Sequence, residues 1–172
     1  MKPELEMRVQ RAVELFMSGY GCCQSVVAAF ADLYGFTDEQ AKMVAAGFGG
    51  GVGRMRMMCG AVSGLVILAG MSDGLPQGHS SMSGQTTPSA AEIRDNKAHC
   101  YKIVQDLLAQ SKKENGSLIC AELLGIKGPV PLGNFVPDER NAEYYKKRPC
   151  AAKVESAARI FAKFWDNRTG DE

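Results

Sequence analysis

The sequence predicts an all-α, single-domain bundle of about six or seven helices, and three observations predict it. Apolar residues recur with helical spacing along nearly the whole chain, and no segment shows strand-like alternation. No internal repeat divides the chain. A chain of 172 residues has the length of one domain and can bury about 70 % of its unfolded surface. We therefore expect one helical domain over residues 1–172.

The individual helices follow from apolar stripes and the signals that end them. In chain order, we predict a helix ending at Gly19, one from Cys22 to Gly35, one over 37–47, one from about Cys59 to Met71, a long one ending at Gly116, a short one over 117–125 and a last one from about Pro149. Thr37 stands three residues before Gln40, which is capping-box spacing. The polar Gly/Ser/Pro-rich stretch 72–90 is predicted to be a flexible loop, and the Pro/Gly-punctuated stretch 126–141 a helix-free connector.

Composition and charge argue against several classes of partner. The formal net charge is +1, which does not indicate a nucleic acid or an anionic membrane as a bulk partner. The longest apolar run, CGAVSGLVILAGM, is too short to span a bilayer about 30 Å thick and is predicted to be a buried helix. The charged N-terminal segment MKPELEMRVQRAVELF has no signal-peptide pattern. We expect a cytoplasmic protein without a membrane span, and the apolar content suggests a homo-oligomer.

Six cysteines are many for a chain expected in a reducing compartment, where they indicate metal or redox chemistry before structural disulfides. Cys22, Cys59, Cys120 and Cys150 each open a predicted helix and lead its apolar stripe. The unpaired N–H groups and the dipole at a helix N-terminus lower a thiol's pKa and favour a nucleophile, redox group or metal ligand. We predict that these four cysteines converge at one end of the bundle.

The alternative for any single cysteine is that it only fills space, because free cysteine is often buried. Cys23 points about 100° away from Cys22 around a helix and is predicted to be a packing residue or an auxiliary thiol, and Cys100 is predicted to be core. The chain has no C-x-x-C pair and no C-x-x-C-H haem-attachment motif. His79 and His99 show no hydrolase arrangement.

The glycine cluster GFGGGVG precedes Cys59 and fits neither G-x-G-x-x-G nor the phosphate-binding G-K-[ST] loop. We predict a flexible hinge that allows close backbone approach. Arg54 and Arg56 follow it and are expected to hold an anion or to lower the pKa of Cys59. Gly60, next to Cys59, is expected to let another helix or a cofactor approach closely. The neighbouring methionines are soft donors, but methionine more often fills gaps in a core.

The segments GYGCCQSVVAAF, GFGGGVGRMRMMCGAVSG, CAELLG and RPCAAKV together resemble a family described as redox-active and named for a C…CGAxxG…C…C cysteine pattern. The resemblance covers nearly the whole chain and places Cys22, Cys59, Cys120 and Cys150 on the family's four cysteines. Cys23 stands where the family usually has Ala or Ser, and Cys100 lies outside the pattern. The family is similar to part of some multi-haem cytochromes that also carry an iron–sulfur centre, but this chain has no haem-attachment motif.

We therefore expect a redox or electron-transfer protein in which these four cysteines form one site. The site would hold an iron–sulfur cluster or work as two exchanging dithiol pairs, with Arg54 and Arg56 stabilising the negative charge. The alternative is a helical binding or structural module with a Cys₄ zinc site or no metal. The sequence names neither the electron partner nor a substrate, and whether the protein is a thiol- or iron–sulfur-dependent oxidoreductase stays open at this point.

Overall fold

The protein is all-α, as predicted. The computed structural model describes residues 1–74, 88–130 and 132–169, and these ranges contain eight α-helices and no strand. The helices are α1 (Pro3–Met17), α2 (Cys22–Ala28), α3 (Asp38–Ala45), α4 (Gly60–Asp73), α5 (Ala90–Asn115), α6 (Cys120–Leu123), α7 (Ala142–Lys147) and α8 (Cys150–Thr169). Six of them have seven or more residues, and two short 3₁₀ helices cover Ala31–Tyr34 and Ala46–Phe48.

Most helix ends lie where the sequence places them. The predicted capping box is confirmed, since the Thr37 side chain accepts a hydrogen bond from the Gln40 N–H and the Gln40 side chain accepts one from the Thr37 N–H. The second helix is shorter than predicted because α2 ends at Ala28. The chain then continues as a 3₁₀ helix to Gly35, which has a φ of 77°.

The predictions for the stretches between the helices are confirmed only in part. The described residues of the 126–141 connector contain no helix, as predicted, but α7 follows at once and was missed. Asn141 caps α7 by accepting a hydrogen bond from the Tyr144 N–H at 2.9 Å. Of the predicted loop 72–90, residues 72 and 73 belong to α4, and residues 75–87 lie outside the described residues.

The core forms around α4, the predicted buried helix. Helix α4 packs against α2, α5 and α8, and α1 packs against α8 along its length. Residues predicted to face the core of α1 and α8 are buried, including Leu5, Val9 and Phe161. Phe161 packs edge-on against Phe30, with ring centroids 5.0 Å apart. This packing fixes the N-terminal ends of α2, α4 and α8 relative to one another.

No helix in the described part of the chain is both long enough and apolar enough to cross a membrane. This agrees with the expectation drawn from the short apolar run in α4.

Candidate functional site

Four cysteines at helix starts surround one cavity. Cys22, Cys120 and Cys150 are the first residues of α2, α6 and α8, and Cys59 is the N-cap residue of α4. All four line a cavity of about 300 Å³. The fold therefore brings together the four cysteines that the sequence singled out.

A short backbone bridge places Cys59 beside Cys120. Met58 and Ile119 form an isolated antiparallel bridge, in which the Cys59 N–H donates to the Leu118 carbonyl at 2.8 Å and the Cys120 N–H donates to the Met57 carbonyl at 2.6 Å. In an antiparallel pair, residues on this diagonal share one face and are near neighbours. Cys59 and Cys120 thus lie on the same side of the bridge, towards the cavity.

Cys22 and Cys150 form the second close pair, where α2 packs against α8. The interaction with the neighbouring Cys22 thiol lowers the pKa of Cys150 to about 7, against the opposing effect of burial. The guanidinium groups of Arg148 and Arg140 lower it further. The same interaction raises the pKa of Cys22 well above its usual value, and burial adds to the effect. The pair therefore ionises first at Cys150, with the proton kept on Cys22.

Cys59 and Cys120 behave differently from the prediction for thiols at helix starts. Burial raises the pKa of Cys59, and hydrogen bonds from the backbone N–H groups of Ala61 and Val62 only partly oppose it. Burial also raises the pKa of Cys120, with Arg56 opposing. The predicted lowering of the pKa is therefore wrong for Cys22, Cys59 and Cys120. For Cys59 and Cys120 the reason is that desolvation of a buried thiolate outweighs the helix N-terminus, whereas for Cys22 the interaction with Cys150 comes first and burial second.

The glycine cluster is a tightly bonded turn in place of the predicted flexible hinge. The Gly53 N–H donates to the Gly47 carbonyl at 2.9 Å, and the Met57 N–H donates to the Gly51 carbonyl at 3.0 Å. Gly51 has a φ of 74°, and a Cβ there would lie 2.6 Å from the Cys120 Cβ. The predicted close backbone approach is therefore present, and it brings the turn against Cys120.

Both predicted arginines line the cavity, but Arg56 lies beside Cys120 and neither arginine is among the causes that shift the pKa of Cys59. Arg56 is only 9 % exposed, and its Nη1 lies 4.0 Å from the sulfur of Cys120, not of Cys59. Arg54 donates to the Asn134 carbonyl at 3.1 Å and pairs with Asp138 at 3.4 Å, so it fastens the connector over the cavity. Both have a positive φ, 65° at Arg54 and 58° at Arg56, which is uncommon for residues other than glycine.

Gly60 serves helix packing at the edge of the cavity. A Cβ at Gly60 would lie 3.0 Å from the Phe48 carbonyl oxygen and 3.2 Å from the Cys22 Cβ. The start of α4 can therefore approach the start of α2 closely, which is one of the two roles that the sequence predicted for this glycine.

Sequence reasoning missed further cations of the cavity, Arg140, Arg148 and Lys153. Arg148 stands two residues before Cys150, a spacing that signals a cation beside a thiol. Arg140 lies far from any cysteine in the sequence and reaches the cavity only through the fold. Its guanidinium stacks over the Phe16 ring at 4.6 Å and donates to the Phe16 carbonyl at 3.1 Å.

The four cavity thiols are suitable metal ligands by type, but the arrangement of the described side chains does not favour a metal site. Four thiolates are the ligands that iron–sulfur clusters and structural zinc use. In the described ranges, however, no three His, Cys, Asp or Glu side chains are arranged to hold one metal ion. As the cavity stands, its described residues do not form a ready metal site.

The two remaining cysteines lie outside the cavity lining. Cys23 is fully buried in the core, and burial raises its pKa to about 12, as suits a packing residue. Cys100 lies on α5 and is half-buried, so it is less enclosed than the predicted core position. His99 pairs with Asp73 at 3.3 Å, and His79 lies outside the described residues.

Comparison with known proteins identifies a family. Residues 20–164 match the family described as "Putative redox-active protein (C_GCAxxG_C_C)". No curated protein and no solved structure matches the chain. The family's name contains GCAxxG, whereas residues 59–64 of this chain have CGAVSG, so the CGAxxG form given above for the family's pattern differs from the one in its name. Because the match covers most of the chain and all four cavity cysteines, this protein belongs to the C_GCAxxG_C_C family.

Proposed function

We propose that the protein carries electrons by reversible disulfide formation between Cys22 and Cys150. The observation that carries the proposal is that Cys22 and Cys150 open two helices that pack together and line one cavity, where the interaction with Cys22 lowers the pKa of Cys150 to about 7. A thiol with a pKa near ambient pH is the most effective attacking group in thiol–disulfide exchange. Cys150 is therefore the nucleophile, and Cys22 is the resolving thiol.

The exchange of electrons needs no reactant other than the disulfide partner. The Cys150 thiolate attacks one sulfur of an oxidised disulfide partner, whose S–S bond breaks, and the departing thiolate takes a proton from solvent. Cys22 then gives up its proton and attacks the Cys150 sulfur, which releases the second half of the partner as a thiolate. Two electrons pass from the Cys22–Cys150 dithiol to the partner, and the reverse sequence reduces the protein.

Helix geometry supports the thiolate of Cys150. Cys150 is the first residue of the 20-residue helix α8, whose N-terminus carries a partial positive charge. Arg148 and Arg140 add full positive charges nearby. These groups stabilise the thiolate before the attack, and they stabilise it again as the leaving group when the disulfide is reduced.

Cys59 and Cys120 form the second pair of the proposed four-cysteine site. They lie on one face of the Met58–Ile119 bridge and line the same cavity. Their raised pKa values make them poor attacking groups at neutral pH, so they give up electrons to an oxidised partner only after the first pair has been oxidised. The proposal includes a cytoplasmic setting, where thiols are kept reduced.

Three variants test the assignment of the pair. The reduced protein is mixed with hydroxyethyl disulfide, and the adducts are mapped by mass spectrometry. We expect Cys150→Ser to form no disulfide at Cys22, and Cys22→Ser to accumulate a mixed disulfide on Cys150. The control Cys100→Ser removes a thiol outside the cavity and should react as the wild type does. Wild-type reaction in Cys150→Ser would refute the proposal.

The alternative of a thiolate-bound metal is tested with the same preparation. All four thiols line one cavity, which favours this alternative. Against it, no three His, Cys, Asp or Glu side chains of the described residues are arranged to hold a metal ion. Protein purified without air is assayed for iron, sulfide and zinc and examined for visible absorption. The dithiol proposal predicts four titratable cavity thiols and no stoichiometric metal, and a full equivalent of zinc or of an iron–sulfur cluster would contradict it.

A further inference from the structure

Arg56 is a buried cation without an acidic partner. Its side chain is 9 % exposed and lines the cavity, and the polar atom in contact with its guanidinium is the Cys120 sulfur at 4.0 Å. Among the residues that the structure describes, no carboxylate lies within ion-pair distance of Arg56. A neutral thiol is a weak acceptor, and burial has raised the pKa of this one.

A buried guanidinium in this situation calls for an anion. Removing a charge from water is costly unless it is paired and hydrogen bonded, and arginine cannot relieve the cost by losing its proton. The backbone holds Arg56 in place, because its N–H donates to the Gly50 carbonyl at 3.2 Å and its carbonyl accepts from the Ala121 N–H at 3.0 Å. The main chain of Arg56 is therefore held at the cavity wall, and its side chain is buried there.

The other arginines of the cavity are already occupied. Arg54 and Arg148 both pair with Asp138, at 3.4 Å and 2.6 Å. Arg140 donates to the carbonyls of Phe16 and Tyr20. Asp138 is the one carboxylate that lines the cavity in the described ranges, so its lining has an excess of positive charge beside the thiols.

Resting on the proposed function, we propose that the electron partner of this cavity is a small disulfide that carries a carboxylate, held by the Arg56 guanidinium. A cavity of about 300 Å³ lies at the lower end of the range for small-molecule sites, which favours a low-molecular-weight disulfide over a protein segment. An arginine can hold a carboxylate through two parallel hydrogen bonds, which would fix the orientation of the disulfide as well as its position.

The proposed reaction consumes the anionic disulfide and produces two molecules of its thiol. Cys150 attacks the disulfide sulfur, the first anionic thiol leaves, and Cys22 displaces the second, so that the Cys22–Cys150 disulfide remains. The two electrons that reduce the ligand come from the two cysteine thiols. Arg56 also lowers the pKa of Cys150, so its loss should slow the reaction with every disulfide. The contact with the carboxylate should appear as a further loss that depends on the charge of the ligand.

Three disulfides of similar size and different charge test the inference: dithiodipropionate is dianionic, hydroxyethyl disulfide is neutral and cystamine is dicationic. We expect the second-order rate of Cys22–Cys150 disulfide formation to fall in that order. In Arg56→Gln, the rate with dithiodipropionate should fall about tenfold more than the rate with hydroxyethyl disulfide. The control Arg94→Gln changes an exposed arginine of α5 that pairs with Asp95, and should match the wild type.

A binding measurement keeps the inference separate from the proposed function. Octanedioate has the length and charge of dithiodipropionate but no sulfur, so calorimetry reports the carboxylate site without any exchange. We expect octanedioate to bind the wild type and to lose about tenfold in affinity in Arg56→Gln. Absence of Cys22–Cys150 disulfide with all three disulfides would refute the proposed function. Equal rates for the three disulfides, or binding of octanedioate that does not depend on Arg56, would refute the inference.

Discussion

At the scale of single residues, Cys150 differs from the other cavity thiols because its interaction with Cys22 outweighs its burial, whereas burial is the main cause of the raised pKa of Cys59 and Cys120. All four cysteines lie at helix starts, yet only Cys150 has a lowered pKa. The nearby arginines reinforce the effect of Cys22. A helix N-terminus is therefore not enough to activate a buried thiol, and a neighbouring group decides which thiol ionises.

Replacing Cys22 by Ala should raise the pKa of Cys150, because the variant loses the neighbouring thiol that stabilises the thiolate. In the wild type, the alkylation rate of Cys150 should rise with pH through about 7, since the thiolate is the reactive form. In Cys22→Ala this rise should move towards pH 9, the ordinary value. Mass spectrometry of the Cys150 peptide after iodoacetamide pulses at a series of pH values measures both.

Cys22→Ser is the matched control, because a serine hydroxyl can still donate a hydrogen bond to the thiolate. Its alkylation curve should lie between those of the wild type and Cys22→Ala. An unchanged curve in Cys22→Ala would show that Cys22 does not set the pKa of Cys150.

At the scale of elements, glycines let the turn and helix α4 come close to the neighbouring cysteines. Gly51 brings the turn against Cys120, and Gly60 and Gly64 bring α4 against α2. A Cβ at Gly64 would lie 2.8 Å from the Val26 Cβ. Close approach of these backbones sets the size of the cavity, so the glycines act on the thiols through packing.

Gly51→Ala should destabilise the protein by about 3 kcal/mol, which combines the cost of a positive φ with that of an overpacked contact. The new Cβ would meet the Cys120 Cβ at 2.6 Å and the Arg56 Cα at 2.9 Å. The control Gly53→Ala has a φ of 56° and no atom within 4 Å, so only the backbone cost of about 1 kcal/mol should appear. Urea unfolding of both variants gives the difference, and equal losses would contradict the contact with Cys120.

Two glycines of α4 should respond to the same substitution with opposite signs. Gly64→Ala should destabilise by about 2 kcal/mol, because its Cβ would overlap Val26. Gly70→Ala should stabilise by about 0.5–1 kcal/mol, because no atom of the described residues lies within 4 Å of the new Cβ and alanine favours the helix. Thermal unfolding of the two variants checks the signs. A stabilising Gly64→Ala would mean that α4 and α2 are less closely packed than the structure shows.

Local sequence signals predicted the elements well and their mutual contacts less well. The capping box at Thr37 and the apolar stripe of α4 lie within one element, so spacing alone reveals them. The partner of Arg56 is Cys120, which lies 64 positions further along the chain, and no local pattern encodes that pairing. Arg140 reaches Phe16 across a separation of 124 positions for the same reason.

At the scale of the whole molecule, the two proposed redox cysteines lie near opposite ends of the sequence. Cys22 opens α2 and Cys150 opens α8, while α1 and α8 pack along each other. A disulfide between the two cysteines would close most of the chain into a single loop. Oxidation should therefore alter the stability of the entire domain as well as the chemistry of the cavity.

The oxidised protein should be more stable than the reduced protein by about 4 kcal/mol, because the disulfide restricts the unfolded chain over a long loop. Urea unfolding with and without reductant measures the difference. Cys22→Ser should show no such gain, whereas Cys100→Ser should show the wild-type gain. Identical unfolding midpoints for oxidised and reduced wild type would argue against a bond between α2 and α8.

The most direct test of the Cys22–Cys150 pair is an anaerobic redox titration in which each of the six cysteines is quantified by differential alkylation and mass spectrometry. The account predicts that Cys22 and Cys150 lose their thiols together, in one two-electron step and before any other cysteine, and that Cys23 stays reduced in the core throughout. Oxidation of Cys59 with Cys120 while Cys22 and Cys150 remain free thiols would contradict it.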